Sequence, residues 1–384
     1  MEKLIRVGIT QGDFNGVGLE VALRSVADET ILELMTPVLF ADWRLVEYAR
    51  KALALELPAI NRVNDASEIA DGRINVVDLH LENTTVEAGK PSAASGAGAV
   101  AALEAAMAAM QSQQIDVLVT APISKEAAQS DAFRYNGHTE YLGAKAGDDA
   151  RPQMILFDDN VRVALVTTHL PLVEVPAAIT RDKVADAVRR FSATLRQDFG
   201  IPRPKIAVLS LNPHCGDGGL LGNEEKEQIA PAIEECNESG VLAFGPYAAD
   251  GFFGSGAYMR FDGVLAMYHD QGLSAFKALA RENGVNYTAG LPFVRTSPDH
   301  GTACDIAWKG EADPTSMREA IYKAIDIFRC RRNSLKAAAN PLRHQHNDRP
   351  KKNAPAKTQP QPKNGEQPKT EEQVETEQPK QQES

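Results

Sequence analysis

The sequence predicts an α/β protein with a mostly parallel sheet and helices on both faces. Short apolar runs typical of buried strands alternate with longer segments typical of helices. The part of the chain with globular composition, about 340 residues, is too long for a single hydrophobic core. Three histidines each follow a strand-like run, where open α/β sheets bind their ligands. We therefore expect two α/β lobes with an active site in the cleft between them.

The apolar pattern places the elements in order along the chain. Strands are predicted at residues 4–10, 37–41, 74–78, 116–120, 154–157, 161–167, 205–211, 240–247 and 264–267. A helix is predicted after Gly18, and others at residues 43–55, 98–110, 181–198, 224–236, 273–279 and 314–338. The segment 98–110 is rich in alanine, the strongest helix former. The segment 181–198 has an apolar stripe that contains Val184 and Val188.

Composition and charge exclude several classes of protein. The formal net charge of −11 argues against a nucleic-acid-binding surface. No apolar run is expected to span a bilayer, and the first residues lack the pattern of a signal peptide. The four cysteines form no Cys-x-x-Cys pair, which favours a reducing compartment. We expect a cytoplasmic protein that binds neither nucleic acid nor membranes.

The last 44 residues differ in composition from the rest of the chain. Residues 341–384 contain seven prolines and eight glutamines, with Leu342 and Val374 as the only sizeable apolar residues. Such a segment cannot bury enough apolar surface to offset its ordering entropy. It is predicted to be a disordered polar tail.

The three strand-end histidines predict a metal site. His169, His214 and His269 follow the predicted strands at 161–167, 205–211 and 264–267. Neutral imidazole is the commonest metal ligand, and three imidazoles with an open position form a catalytic zinc-type site. Each histidine taken alone could instead cap its strand. Cys215, beside His214, is either a ligand, a reactive thiol or a small residue in a tight loop.

Two polar segments are candidates for binding an anion. A Gly-rich turn, Gly12 to Gly18, connects the first strand to a helix, and could present free N–H groups or simply be a tight turn. A second segment begins a helix at His138 and Thr139, where anion binding and ordinary capping by Thr139 remain open. The Gly96-Ala-Gly98 sequence is not a dinucleotide fingerprint, because no strand directly precedes it.

Several motifs, in order, resemble those of the 4-hydroxythreonine-4-phosphate dehydrogenase family. The resemblance covers about residues 4–335 and rests on six segments: Gly137-His-Thr-Glu, Thr168-His-Leu-Pro-Leu, Leu211-Asn-Pro-His, Tyr268-His-Asp-Gln-Gly-Leu, Gly290-Leu-Pro-Phe-Val-Arg-Thr-Ser and Asp299-His-Gly-Thr-Ala. It implies the two-lobed α/β/α fold of isocitrate and isopropylmalate dehydrogenases, with the active site in the cleft at a homodimer interface. It implies a cofactor-side lobe of residues 1–135 with 290–340, and a metal and dimerisation lobe of residues 136–289.

The resemblance also implies roles for individual residues. Metal binding falls to His169, His214 and His269, with zinc expected and cobalt or magnesium as alternatives. Substrate binding falls to His138, Thr139, Lys277, Asn286 and Arg295. The segment His300, Gly301, Thr302 and Asp305 is similar to the adenosine-binding loop of the same superfamily, which implies NAD or NADP. Lys277 is a candidate proton relay and Asp270 a candidate orienter of an imidazole. From the residues alone, Lys277 and Arg295 could form surface ion pairs and Asp270 could be a helix N-cap.

The function implied is NAD-dependent oxidation and decarboxylation of 4-phosphohydroxy-L-threonine in pyridoxal phosphate biosynthesis, by a homodimer that shares its active sites. Three alternatives remain: a related dehydrogenase of 4-phospho-D-threonate or D-erythronate, a metal-dependent hydrolase or lyase, and a metal-binding interaction protein. The chain departs from the family pattern at the Asp13-Phe14-Asn15 loop and at Trp308, where glycine is usual. Both departures concern the cofactor side.

Overall fold

The computed structural model describes residues 4–131, 133–135, 137–147 and 149–339. The segment 341–384, predicted to be a polar tail, lies outside the described residues. Within the described part of the chain the strands are β1 (Ile5–Thr10), β2 (Met35–Ala41), β3 (Ile60–Val63), β4 (Ile74–Asp78), β5 (Val117–Thr120), β6 (Gln153–Phe157), β7 (Arg162–Leu165), β8 (Lys205–Leu209), β9 (Leu242–Tyr247), β10 (Gly263–Ala266), β11 (Val285–Ala289) and β12 (Val294–Pro298).

Helices of very different length connect these strands. They are α1 (Gly18–Ser25), α2 (Ile31–Leu34), α3 (Trp43–Ala52), α4 (Ala93–Gln111), α5 (Lys125–Ala128), α6 (His138–Ala146), α7 (Val175–Ala178), α8 (Arg181–Gln197), α9 (Ala230–Glu238), α10 (Ala249–Gly254), α11 (His269–Ala280) and α12 (Thr315–Ala339). A π-helical turn, Glu225–Ile229, leads into α9, and short 3₁₀ turns occur at Ala66–Glu68, Leu172–Glu174, Ala257–Arg260 and Arg281–Asn283. The predicted helices are confirmed, although α4 begins earlier than expected and α11 already begins at His269.

All twelve strands belong to one sheet with the order β3-β4-β2-β1-β5-β12-β11-β6-β7-β10-β8-β9. Neighbours pair in parallel except at β12–β11, β11–β6 and β6–β7. The prediction of a mostly parallel sheet is therefore confirmed, and its antiparallel pairs lie together at the centre.

Strands β3, β11 and β12 were not predicted. In β11 and β12, polar residues interrupt the apolar pattern at every second position: Asn286, Thr288, Arg295 and Ser297. Side chains of a strand alternate between its two faces, so these residues lie on one face while Val285, Tyr287, Val294 and Thr296 lie on the other. The central strands thus present a polar surface, which the search for apolar runs could not detect.

The core is built from the strands and the faces of the helices that cover them. Val7, Ile9, Val117 and Val119 are fully buried in adjacent strands of one half, and Val208 and Leu265 in the other. In α8 the buried residues include Val184, Val188, Phe191 and Leu195, which confirms the predicted stripe.

Helix α4 begins with a capping box between Ser92 and Ser95. The expectation that no segment could span a bilayer needs correction here: the 19 residues of α4 are long and apolar enough by composition, with a mean hydropathy of 1.4. In the protein, 61% of this stretch is buried, as is usual for a core helix.

Candidate functional site

A polar pocket of about 300 Å³ lies over the central strands. Met154, Leu156, Asn286, Arg295 and Ser297 form its floor on β6, β11 and β12. Its walls come from chain segments outside these strands: Pro122, Ile123, Lys125, Gly137, His138, Thr139, Glu140, His169, His269, Leu273, Lys277, Asp299, His300 and Gly301. All five predicted substrate residues and two of the three predicted metal ligands therefore meet in one pocket.

A larger cavity of about 730 Å³ lies elsewhere, between the C-terminal parts of α4 and α12. It is lined mainly by Met107, Met110, Phe293, Phe328 and other residues to which the sequence assigns no chemistry. The convergence of titratable groups, rather than volume, identifies the smaller pocket as the candidate active site.

His169 and His269 lie side by side, with their ring centroids 6.2 Å apart. Each uses Nδ1 to bond a carboxylate oxygen: His169 bonds Glu140 at 2.8 Å and His269 bonds Asp270 at 2.7 Å. A carboxylate at Nδ1 fixes the ring and leaves Nε2 as the metal-binding nitrogen, as in many metal sites. Asp270 thus has the position of an imidazole orienter. The N-cap of α11 is Tyr268 rather than Asp270.

His214 does not line this pocket. Among the described residues, no group of three or more His, Cys, Asp or Glu side chains is placed to hold a metal ion. One chain therefore brings together two of the three predicted ligands. The donor set of these two imidazoles fits a divalent metal, but it needs a further ligand from outside the pocket.

The loop that carries His214 has an unusual backbone. Residues 214–218 all lie in the left-handed region, with φ of 52° at His214, 53° at Cys215 and 43° at Asp217. Non-glycine residues in that region cost about 1–3 kcal/mol each and persist where the surrounding structure holds them. Gly216 packs so closely that a Cβ there would lie 2.7 Å from an oxygen of Glu225. Strain of this kind is typical of functional loops.

Arg295 is the largest buried side chain of the pocket, with 2% of its surface exposed. Its guanidinium donates to the hydroxyl of Thr120 through Nε and Nη2, and to that of Thr288 through Nη1 at 2.9 Å. Among the described residues no carboxylate lies within ion-pair distance of it. Burial lowers its pKa to about 9, against a weaker favourable effect of Glu140. A buried cation without a paired anion is suited to bind an anionic ligand.

Three other predicted substrate residues surround Arg295. Among the described residues, the buried Nε2 atom of His138 has no hydrogen-bond partner, and neither has Oδ1 of Asn286. Burial holds the pKa of His138 well below its usual value, and the charges of Arg295 and Lys125 lower it further. Thr139 lies within the first turn of α6, where the N-cap is Gly137, so the capping alternative for Thr139 is wrong.

Lys277 lies at the edge of the pocket. Its Nζ donates to the backbone oxygen of Asp299 at 3.0 Å and lies 3.3 Å from the carboxylate of the same residue. Burial raises the pKa of Asp299, although the charge of Lys277 opposes the shift. The predicted ion pair of Lys277 therefore exists, but it lies within the pocket wall and fixes the ammonium there.

The segment 300–305 packs against the Gly-rich turn after β1. The N–H of Val17 donates to the carbonyl of Thr302 at 3.0 Å, and a Cβ on Gly16 would lie 2.8 Å from that same oxygen. His300 and Gly301 line the pocket. The predicted cofactor segment and the Gly-rich turn, a candidate for binding an anion, are therefore neighbours, and the close approach explains the glycine at position 16.

The two departures from the family pattern contact each other. The indole N–H of Trp308 donates to the carbonyl of Phe14 at 2.8 Å, and the Trp308 ring lies 5.1 Å from the ring of Tyr48. Trp308 has φ of 62°, a conformation that glycine adopts freely. The contacts of the indole therefore stabilise a left-handed backbone conformation at Trp308 that glycine would adopt without strain.

Four residues of the site were not predicted. Glu140 belongs to the Gly137-His-Thr-Glu motif, and its type and position could have indicated a role. Asp299 begins a motif in the same way. Thr120 and Thr288 carry no signal in the sequence, because only the sheet order places their hydroxyls beside Arg295.

Comparison with known proteins shows a family match over most of the described chain. Residues 33–324 match the family described as pyridoxal phosphate biosynthetic protein PdxA. The chain is 53% identical over 345 residues to a 4-hydroxythreonine-4-phosphate dehydrogenase of Bacteroides thetaiotaomicron, which covers 90% of this chain and 94% of that protein. It is 38% identical to an Oceanobacillus iheyensis protein provisionally named D-threonate 4-phosphate dehydrogenase, over 85% of this chain and 99% of that one. The crystal structure of 4-hydroxythreonine-4-phosphate dehydrogenase from Klebsiella pneumoniae is similar, with a TM-score of 0.74 and 32% identity, over 85% of this chain and 99% of that one.

Proposed function

This chain belongs to the pyridoxal phosphate biosynthetic protein PdxA family, and on that basis we propose that it is a 4-hydroxythreonine-4-phosphate dehydrogenase. The reaction is the NAD-dependent oxidation of 4-phosphohydroxy-L-threonine and its decarboxylation to 3-amino-2-oxopropyl phosphate, CO₂ and NADH. One observation carries the proposal: the pocket joins two carboxylate-oriented imidazoles to the buried cation of Arg295. A hydrolase or an interaction protein is less consistent with these relatives, which are named as dehydrogenases.

The chain's own residues would bind and orient the substrate. Arg295 offers a planar set of donors to a phosphate or carboxylate, and Lys277 offers a point charge. The neutral imidazole of His138 and the amide of Asn286 bring hydrogen-bonding atoms that have no partner within the described chain. Lys277, fixed by Asp299, is placed to hold or transfer a proton at Nζ.

The Nε2 atoms of His169 and His269 would hold a divalent metal, for which zinc, cobalt and magnesium are the candidates. Such a metal, when bound, supplies Lewis acidity that lowers the pKa of the substrate hydroxyl and polarises the carbonyl formed from it. NAD, or NADP, would lie against residues 300–305 and the turn at Gly12 to Gly16.

We further propose that the protein is a cytoplasmic homodimer in which His214 completes the site of a second copy. Large apolar side chains are exposed near the histidines: Leu172 at 69%, Val173 at 85% and Leu220 at 79%. Leu172 and Val173 follow His169 in sequence and Leu220 follows His214, and exposed apolar residues in such loops are typical of an interface.

The order of strands supports the proposed division into lobes. Strands β1 to β5 and β12 come from residues 1–135 and 290–340 and occupy one half of the sheet. Strands β6 to β11 come from residues 136–289 and occupy the other half. The pocket lies where β12 meets β11, between the proposed cofactor-side lobe and the proposed metal and dimerisation lobe.

The first experiment measures NADH absorbance with purified protein, NAD and 4-phosphohydroxy-L-threonine, with and without a chelator. Metal-dependent NADH formation is the expected result. NADH formation only with D-threonate 4-phosphate or D-erythronate 4-phosphate would keep the mechanism and change the substrate, a candidate favoured by the Oceanobacillus relative. No NADH with any of these substrates would refute the proposal.

A mixing experiment tests the shared site. His169→Ala and His214→Ala are each expected to form folded, inactive dimers with weak metal binding. When the two variants exchange subunits, one site of each hybrid dimer regains both histidines, so random mixing should restore about a quarter of wild-type activity. A mixture of His169→Ala with His269→Ala should stay inactive, because both changes affect the same side. His80→Ala, at a surface histidine bonded to Asn64, is the control that keeps full activity.

A further inference from the structure

The three predicted histidine ligands follow three neighbouring strands. In the sheet, β10 lies between β7 and β8 and pairs in parallel with both. His269 therefore follows the middle strand, His169 follows one neighbour, and His214 follows the other. Their relative positions depend on how the three strand-end loops are joined.

One hydrogen-bonded chain runs across all three loops. The hydroxyl of Thr167 donates to the carbonyl of Met267 at 2.7 Å. The N–H of Met267 donates to Oε1 of Gln271 at 2.7 Å, and Nε2 of Gln271 donates to the carbonyl of Ser210 at 2.6 Å. Gln271 is thus the side chain that crosses from the loop of β10 to the loop of β8.

The chain continues into the loop of His214. The hydroxyl of Ser210 donates to the carbonyl of Asn212 at 2.9 Å. The N–H groups of Leu211 and Asn212 both donate to Oε1 of Glu225, at 2.8 and 2.7 Å. Thr167, Met267 and Asn212 each lie two residues before one of the histidines. The series of hydrogen bonds therefore anchors each loop two residues before its histidine.

Most of the groups that Gln271 joins are buried, although Gln271 itself is partly exposed. Thr167, Ser210, Met267 and Glu225 expose at most 3% of their surface. A buried donor or acceptor that loses its partner costs about 1–3 kcal/mol, so these bonds restrict the loops to one arrangement. The left-handed backbone of residues 214–218 needs such a restraint, because it is strained at His214, Cys215 and Asp217.

We propose that Gln271 is a positioning residue, which through Met267 and Ser210 holds the loop of His269 for the metal site of its own chain and the loop of His214 for the metal site of the second copy. The inference rests on the metal site of the proposed function. Mutation of a residue that orients metal ligands typically lowers metal affinity by about 10- to 100-fold, and we expect the same loss when Gln271 is replaced.

If Gln271 served only to cap helix α11, it would need only its Oε1 atom, which accepts a hydrogen bond from the N–H of Met267. Nε2, which bonds a different strand, has no part in capping. Gln271→Glu separates these two roles, because it keeps an acceptor for Met267 and replaces the donor to Ser210 by an oxygen. Gln271→Met removes both bonds at a similar side-chain volume.

The matched control is Gln153→Met. Gln153 is buried and, like Gln271, donates to a backbone carbonyl, that of Ala187 at 3.2 Å, but it joins β6 to α8. Each variant would be tested by titration with Co²⁺ against a competing chelator, and by amide hydrogen exchange of the metal-free protein at residues 211–217.

The expected result is a loss of Co²⁺ affinity of tenfold or more and faster exchange at residues 211–217 in both Gln271 variants, with neither effect in Gln153→Met. Unchanged affinity and exchange in the Gln271 variants would overturn the proposal, and so would an equal effect in Gln153→Met. If Gln271→Met does not fold, Gln271→Glu decides. If wild-type protein binds no Co²⁺, the metal part of the proposed function fails, while the exchange comparison still decides whether Gln271 positions the loop.

Discussion

Replacing Arg295 with methionine should stabilise the ligand-free protein and strongly reduce its activity. The fall of the Arg295 pKa from 12.5 to about 9 comes from burial of the charge. At about 1.4 kcal/mol per pKa unit, the buried charge costs about 5 kcal/mol. The variant also loses three hydrogen bonds to Thr120 and Thr288, worth about 1 kcal/mol each. The net expectation for Arg295→Met is a gain of about 2 kcal/mol in the free energy of unfolding.

The assay is urea unfolding without substrate or phosphate, alongside steady-state kinetics. A lost charge-assisted contact of about 3 kcal/mol lowers kcat/KM by about 100-fold. Arg331→Met is the control, because Arg331 pairs with the buried carboxylate of Asp198 at 2.9 Å. That change leaves an unpaired charge and should destabilise the protein by about 3–5 kcal/mol. If Arg295→Met also destabilises the protein by 2 kcal/mol or more, Arg295 stabilises the fold and our account of it as a ligand-binding cation is wrong.

Three further predictions concern other parts of the chain. His138 is neutral when folded but titrates near 6.5 when unfolded, so its contribution to stability is complete above pH 6.5 and is lost as the pH falls. His138→Gln should therefore reduce the slope of the unfolding free energy against pH, on the acid side, by up to about 1.4 kcal/mol per pH unit. Identical slopes in the variant and the wild type would contradict this. Gly89 has φ of 74°, and a Cβ there would lie 2.3 Å from the carbonyl of Cys304. Gly89→Ala should therefore lower stability by about 1–3 kcal/mol in urea unfolding and weaken NAD binding in a fluorescence titration. Wild-type values in both assays would show that the loop adjusts to the added Cβ without cost. Deleting residues 341–384 should leave kcat and KM unchanged, and a large loss of turnover would show that the segment has a role in catalysis.

Most of the fold follows from local sequence patterns, because apolar runs and alanine-rich segments depend on neighbouring residues alone. Strands β1, β4 and β8 and helix α8 lie within one or two residues of their predicted bounds. The central strands β11 and β12 escaped prediction because their polar faces form the pocket floor, so the residues that serve function also hide the strand pattern.

The arrangement of the residues in the candidate site could be predicted only in part. His169 and His269 could be placed together because both follow parallel strands that are neighbours in the sheet. The buried state of Arg295 could not be predicted, because its partner Thr120 is distant in sequence and its partner Thr288 lies on β11, a strand that was not predicted. The left-handed loop at His214 also depends on a distant residue, Glu225, which anchors the preceding backbone.

The insertion of β12 between β5 and β11 also has a consequence for biosynthesis. Val117 of β5 pairs with Val294 of β12, which leaves the ribosome 177 residues later. At about 5–20 residues per second, β5 is therefore an unpaired edge of the first half of the sheet for about 9–35 s. Open edges of apolar strands recruit other chains. The nascent chain is consequently most exposed to aggregation, and most dependent on chaperones, in the interval before β12 emerges.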